Sequence, residues 1–174
     1  MAEQTEMDSN LDELHQAMGE FLTECSNLEN VLITMMMFCQ NKRHFTEVYL
    51  DMLNETFGTR IKEFKKSIQS YAFSPEHRAA LDTATQALDD LLPRRNMIVH
   101  GSTYQVGFAG APPEAYRVGI PKGDPDFLNE FMKQSGNVEH SFPVARVRQA
   151  TADCKSISAM ITPITNHLVQ LVAN

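Results

Sequence analysis

The first third of the chain carries apolar residues at alternating steps of three and four, the spacing of one face of a helix. These positions are Leu11, Leu14, Met18, Phe21, Cys25, Leu28, Leu32, Met35 and Cys39. Sustained over about four heptads, the pattern predicts one long helix with Ser9 or Asn10 as N-cap, closed by the segment 41–43. Residues 1–8, which precede it, are expected to be flexible.

The middle of the chain holds three further helical patterns. The first covers Phe45–Leu53, with Gly58 as its C′ residue. The second covers Ile61–Tyr71. The third begins at Ser74–Glu76, where serine suits the N-cap and the following proline suits the first helical position. Pro93 interrupts this last pattern, so the helix is expected to kink or restart there.

The segment 102–142 differs, because it is rich in glycine, proline and short β-prone stretches. Thr103–Val106 and Tyr116–Ile120 predict a small hairpin, and a helical turn is expected near Phe127–Met132. A final helix from about Pro143 carries apolar residues at helical spacing as far as Leu171. The predicted fold class is all-α: residues 1–174 form a single domain, a helical bundle with a long first helix and a loop or small β-hairpin insertion before the last helix.

The composition limits the class and the location of the protein. Of the 174 residues, 43 % are hydrophobic, which excludes a wholly disordered chain. The N-terminus lacks the apolar stretch of a secretory signal, and the longest apolar run, Val31–Cys39, is about half a membrane span. Three cysteines without a C-x-x-C pair fit a reducing compartment. We therefore expect a soluble, cytoplasmic protein with no membrane contact.

The net charge of −7 gives the chain no general attraction to nucleic acid, so RNA binding would need a local basic cleft. Candidate RNA contacts are Arg94, Lys62, Lys65 and Lys66, and the alternative is that they are solvated helix faces. The sequence has no phosphate-binding loop, dinucleotide fingerprint or nucleophile elbow. Its six histidines lack metal-ligand spacing, so neither a metal nor a cofactor is predicted.

The segment 95–100 combines three functional groups suited to phosphodiester chemistry. Asn96 and His100 are four residues apart and share a helix face, and the long side chain of Arg95 can reach the same cleft. Histidine exchanges protons near neutral pH, and arginine donates to a phosphate whose charge grows in the transition state. Asparagine can orient either group. Alternatively, Arg95 and His100 are cations that only interact with the last carbonyls of the helix.

The R-N-x-x-x-H motif at 95–100, followed by glycine and placed late in a bundle with a long first helix, resembles the HEPN superfamily (higher eukaryotes and prokaryotes nucleotide-binding domain). The resemblance implies a metal-independent endoribonuclease, often a toxin, antiphage or stress effector. It assigns catalysis to Arg95, Asn96 and His100: the arginine would stabilise the scissile phosphate, the histidine would transfer a proton around the ribose 2′-OH, and the asparagine would position them. The expected product is a 2′,3′-cyclic phosphate.

The resemblance also implies partners. HEPN domains commonly form homodimers with two motifs across one cleft, RNA is the expected substrate, and an antitoxin or regulatory protein is a further expected partner. One subfamily has a tyrosine two residues after the histidine, whereas here Tyr104 follows His100 by four. Two alternatives stay open: a catalytically silent HEPN-like dimer acting as an interaction or regulatory protein, and an unrelated bundle whose motif is buried or faces away from any interface.

Overall fold

The computed structural model describes residues 2–40, 45–107, 114–119, 126–134, 136 and 139–173. In chain order these ranges hold α1 (Ala2–Cys39), α2 (Phe45–Leu53), α3 (Phe57–Ser70), α4 (Pro75–His100), β1 (Ser102–Val106), β2 (Glu114–Val118), α5 (Phe127–Lys133), β3 (Ser141–Pro143) and α6 (Val144–Ala173). The predicted fold class is confirmed: the chain is mainly helical, with a long first helix and a small sheet before the last one.

Helix α1 begins at Ala2, so the predicted N-cap at Ser9 or Asn10 is wrong, and residues 2–8 are helical. Asn10 lies inside the helix, where its Oδ1 accepts a hydrogen bond from the backbone N–H of Ala115 at 2.7 Å. An asparagine side chain favours caps because it competes for nearby backbone groups. Here its partner comes from a distant strand instead. The predicted closing segment, 41–43, lies outside the described residues.

Helix α2 covers the predicted apolar positions from Phe45 to Leu53, but the assignment of Gly58 as its C′ residue is wrong. Gly58 lies in the first turn of α3, which begins at Phe57. The N-cap is Thr56, whose Oγ1 accepts a hydrogen bond from the backbone N–H of Thr59 at 3.2 Å. A threonine cap satisfies an N–H group that the first turn would otherwise leave without a partner. This local contact explains why the new helix starts before the glycine.

Helix α4 starts as predicted, since Ser74 Oγ accepts a hydrogen bond from the backbone N–H of His77 at 3.2 Å. Of the kink or restart expected at Pro93, the restart is absent, because the helix continues through the proline to His100. Leu91 and Ile98, on either side of the proline, are fully buried. Burial of an apolar face stabilises a helix more than intrinsic propensity does, which explains why the helix tolerates the proline.

The structure forms two compact units, to which α1, α4 and α6 each contribute residues. We call Met1–Thr23 with Pro93–Ala152 the sheet unit, and Glu24–Leu92 with Asp153–Asn174 the helical unit. Among the described residues, none of the helices is both long enough and apolar enough to span a membrane.

The helical unit is built on the predicted apolar lines. Its buried residues include Cys25, Leu28, Leu32, Met35 and Cys39 of α1, Ile61, Phe64 and Ile68 of α3, Leu81, Ala84, Leu88 and Leu91 of α4, and Cys154, Ile157, Ile161, Ile164 and Leu168 of α6. Burial of this apolar surface is the main force that stabilises the unit. The apolar line of α6 ends earlier than predicted, because Leu171 is 58 % exposed.

The sheet unit contains a three-stranded antiparallel sheet in the order β1-β2-β3. The predicted hairpin is confirmed as β1 and β2, while Ile120 lies outside the described residues. Strand β3 was not predicted, because three residues are too few to show an alternating pattern. On one face of the sheet, Tyr104, Val106, Tyr116 and Val118 pack with Phe127 and Phe131 of α5. Arg117 alternates with this set, so it points to the opposite face.

Candidate functional site

The R-N-x-x-x-H motif occupies the last two turns of α4, in the sheet unit. Asn96 and His100 are both exposed and lie one helical turn apart, so they share a surface. Arg95 and its neighbour Arg94 are half-buried. The structure therefore places a histidine and an asparagine of the motif at the protein surface, with the arginine partly enclosed beside them.

Arg95 is in direct contact with the motif asparagine. Its Nη1 donates a hydrogen bond to Asn96 Oδ1 at 3.4 Å, a length near the upper limit for such a bond. The Nε atom of Arg95 is buried, although the residue as a whole is half-buried. The inner part of the guanidinium is thus enclosed by protein, and the asparagine contacts its outer part.

The carboxyl end of α4 is capped by Arg117 of β2. Its Nε donates to the carbonyl oxygen of Ile98 at 2.7 Å, and its Nη2 donates to that of Val99 at 2.9 Å. Its Nη1 donates to Thr103 Oγ1 at 3.2 Å. Desolvation lowers the pKa of Arg117 from its usual value, yet a guanidinium remains charged throughout the physiological range. Arg117 is therefore a cation that interacts with these last carbonyls.

Two glycines allow the sheet to approach this helix end closely. A Cβ at Gly101 would collide with the carbonyl oxygens of Val118 and Met97, and one at Gly119 would lie 2.6 Å from Met97 Cβ. Gly101 also ends the helix by donating its backbone N–H to the carbonyl of Met97 at 2.9 Å. The motif turn therefore packs against β2 with no side chain between them.

A second histidine contacts the motif segment. His140 Nδ1 lies 3.1 Å from the sulfur of Met97, and the backbone carbonyl of His140 accepts a hydrogen bond from the N–H of Gly119 at 3.0 Å. The Phe127 ring lies 6.2 Å from the imidazole, measured between centroids. His140 thus joins the loop before β3 to the same helix turn.

Neither Arg117 nor His140 is predicted from the sequence as a site residue. For Arg117 a signal exists, because it stands between two apolar residues of a predicted strand, Tyr116 and Val118. A charged side chain in a buried strand needs hydrogen-bond acceptors nearby. For His140 the surrounding sequence has no periodicity that would place it near the motif.

The three lysines predicted to contact RNA lie on α3, in the helical unit. Lys62 is exposed. Lys65 Nζ lies 2.5 Å from a carboxylate oxygen of Asp89, and Lys66 Nζ lies 3.6 Å from Glu63. Two of these cations therefore face carboxylates of the same unit, and their contact with RNA stays a prediction.

The cysteine thiols are enclosed. Cys25, Cys39 and Cys154 are buried free thiols, and the Cys25 and Cys154 sulfurs lie 3.7 Å apart. Burial raises the pKa of Cys39 to about 12, and the hydrogen bond with Cys25, followed by burial, raises that of Cys154. Thiols held in the protonated form are poor nucleophiles. Within the described ranges, no three His, Cys, Asp or Glu side chains are grouped so that they could hold a metal ion.

The motif turn therefore offers an exposed imidazole that can exchange a proton, a guanidinium that can stabilise an anion, and an amide in contact with that guanidinium. These are the groups that acid–base cleavage of a phosphodiester needs. Comparison of the chain with protein-family models, curated proteins and solved structures gives no match in any of the three.

Proposed function

We propose that the protein is a metal-independent endoribonuclease of HEPN type, in which Arg95, Asn96 and His100 are the catalytic residues. The observation that carries this proposal is the exposure of Asn96 and His100 on one surface of α4, with Arg95 in contact with the asparagine. An imidazole used for proton transfer must reach the substrate, and a buried motif would not allow this.

In this mechanism His100 removes the proton of a ribose 2′-OH, and the resulting oxygen attacks the neighbouring phosphorus. The bond from phosphorus to the 5′-oxygen of the next nucleotide breaks, which yields a 2′,3′-cyclic phosphate and a 5′-hydroxyl end. Arg95 stabilises the extra negative charge on the phosphate oxygens in the transition state. Asn96 orients the guanidinium. In a homodimer, the histidine of the second copy supplies the proton to the leaving oxygen.

The biological setting we propose is a cytoplasmic toxin, antiphage or stress effector whose partner is an antitoxin or regulatory protein. Free buried cysteines support a reducing compartment. A second candidate function is a catalytically silent, HEPN-like dimer that acts as an interaction protein. Four large apolar side chains of α2 favour it, because clustered exposed apolar groups mark protein contacts. These exposed residues are Phe45, Tyr49, Leu50 and Leu53.

The test is incubation of wild type and His100→Ala with mixed cellular RNA in excess EDTA. We expect wild type to release fragments with 2′,3′-cyclic phosphate ends, and the variant to be slower by about 100-fold or more because proton transfer is lost. His15→Ala is the matched control, since His15 is also an exposed histidine on a helix of the sheet unit. Its rate should equal that of wild type.

Cleavage by His100→Ala at the wild-type rate would remove the histidine from the mechanism. If wild type leaves all RNA intact while the protein is folded and dimeric, the interaction protein becomes the better account.

A further inference from the structure

The carboxyl end of a helix is an unfavourable place to bind RNA. It carries a partial negative charge, and its last carbonyl groups lack partners within the helix. His100 is the final residue of α4, in a chain of net charge −7. A phosphate that approaches His100 therefore meets a negative helix end, and the proposed reaction needs a group that offsets it.

Arg117 is placed to do this. Each of its three nitrogens donates to a protein oxygen, and two of these acceptors are the carbonyls of Ile98 and Val99, the residues directly before His100. The guanidinium is a rigid fork, so one side chain satisfies two carbonyls and adds a positive charge beside them. The strand that carries it packs directly on the same turn through Gly119.

We propose that Arg117 is a positioning residue for this site: it fixes the last turn of α4, and with it His100, and its charge makes the helix end compatible with an RNA phosphate. The inference rests on the proposed ribonuclease function. Each of its three nitrogens donates to the protein, so Arg117 acts by holding the helix end and by adding positive charge there. It therefore has two separable effects, one on the geometry of the turn and one on its electrostatic potential.

Two variants separate these effects. Arg117→Met removes the fork and the charge, whereas Arg117→Lys keeps a charge but replaces the fork with a single nitrogen. We expect both variants to lower kcat by about tenfold or more, because small errors in the placement of a catalytic group are costly. KM should rise in Arg117→Met and stay near the wild-type value in Arg117→Lys, which retains the attraction for phosphate.

The control is Arg146→Met. Arg146 also donates to a backbone carbonyl in the sheet unit, that of Ser141 at 3.0 Å, but this carbonyl lies outside α4. Its kcat and KM should equal those of wild type. Thermal unfolding of every variant measures any general loss of stability. Kinetics are compared only at temperatures well below the lowest unfolding midpoint.

Amide hydrogen exchange of Gly101 supplies a readout that does not depend on activity. This N–H is bonded to the carbonyl of Met97 in the turn that Arg117 holds. Exchange should be faster in both Arg117 variants and unchanged in Arg146→Met.

Wild-type kcat in a folded Arg117→Met would overturn the positioning role, and an equal rise of KM in both Arg117 variants would overturn the effect of charge. If wild type itself does not cleave RNA, the proposed function fails, and the exchange of Gly101 alone decides whether Arg117 fixes the turn. Unchanged exchange would then refute the inference.

Discussion

In the helical unit, long helices bury leucine, isoleucine, phenylalanine and cysteine side chains against one another, whereas in the sheet unit a small sheet packs its apolar face on α5 and is also joined to helices by polar contacts. Arg117 binds the carbonyls of α4, Asn10 binds the amide of Ala115, and His140 contacts Met97. The candidate site lies in the second region, at the helix end that Arg117 and His140 contact.

The comparison separates two kinds of contact, apolar packing and specific hydrogen bonds. Apolar packing requires volume and the correct spacing, and it tolerates exchange among side chains of similar size. A hydrogen-bonded cap requires one donor at one place, and its loss leaves a buried acceptor without a partner. Substitutions of buried apolar residues should therefore change stability gradually with volume, while substitutions of the hydrogen-bonding residues near the motif should depend on which donor or acceptor atom is lost.

The largest effect on stability is expected from Phe64→Ala in the helical unit. Phe64 is fully buried, and its removal should lower the free energy of unfolding by about 3–5 kcal/mol through lost apolar burial and the cavity that remains. Urea unfolding followed by far-UV circular dichroism measures this. Leu50→Ala is the control, because Leu50 is 56 % exposed and should change the value by less than about 0.5 kcal/mol. Equal losses in the two variants would contradict the assignment of the core.

A smaller effect is expected from Gly119→Ala in the sheet unit. The added methyl group would lie 2.6 Å from Met97 Cβ, so the sheet and the motif turn must separate, at a cost of about 1–3 kcal/mol. Gly19→Ala is the matched control: it lies in α1, and an added Cβ there meets nothing within 4 Å. It should stabilise the protein by up to about 1 kcal/mol, since alanine favours helices. If the thermal unfolding midpoints of the two variants shift in the same direction, the close approach of the sheet to the motif turn is refuted.

The smallest effect concerns pH and the interior of the helical unit. The pKa of Cys39 is raised from 9.0 to about 12, so above pH 9 the unfolded chain loses this proton while the folded chain keeps it. Stability should therefore fall as the pH rises from 9 towards 12, by about 1 kcal/mol at pH 10 from this group. Urea unfolding of wild type and Cys39→Ala at pH 8 and pH 10 measures the difference. An identical pH dependence in the two proteins would show that the thiol is exposed to solvent.

The sequence by itself determined most of the helices, because the burial of one helix face repeats every three or four residues and can be recognised locally. It also predicted the cap at Ser74, the hairpin and the position of the motif before Gly101. These features depend on neighbours along the chain.

Only the tertiary structure decided which side chains meet over long distances. Asn10 accepts a hydrogen bond from a strand residue 105 positions away, and Arg117 donates to carbonyls 18 and 19 positions earlier. Strand β3 forms because it pairs with β2. Such partners leave no periodic signal, because a hydrogen bond needs only one donor and one acceptor brought together by the fold. The motif could be read from the chain, whereas the residues that hold its last turn could be recognised only in three dimensions.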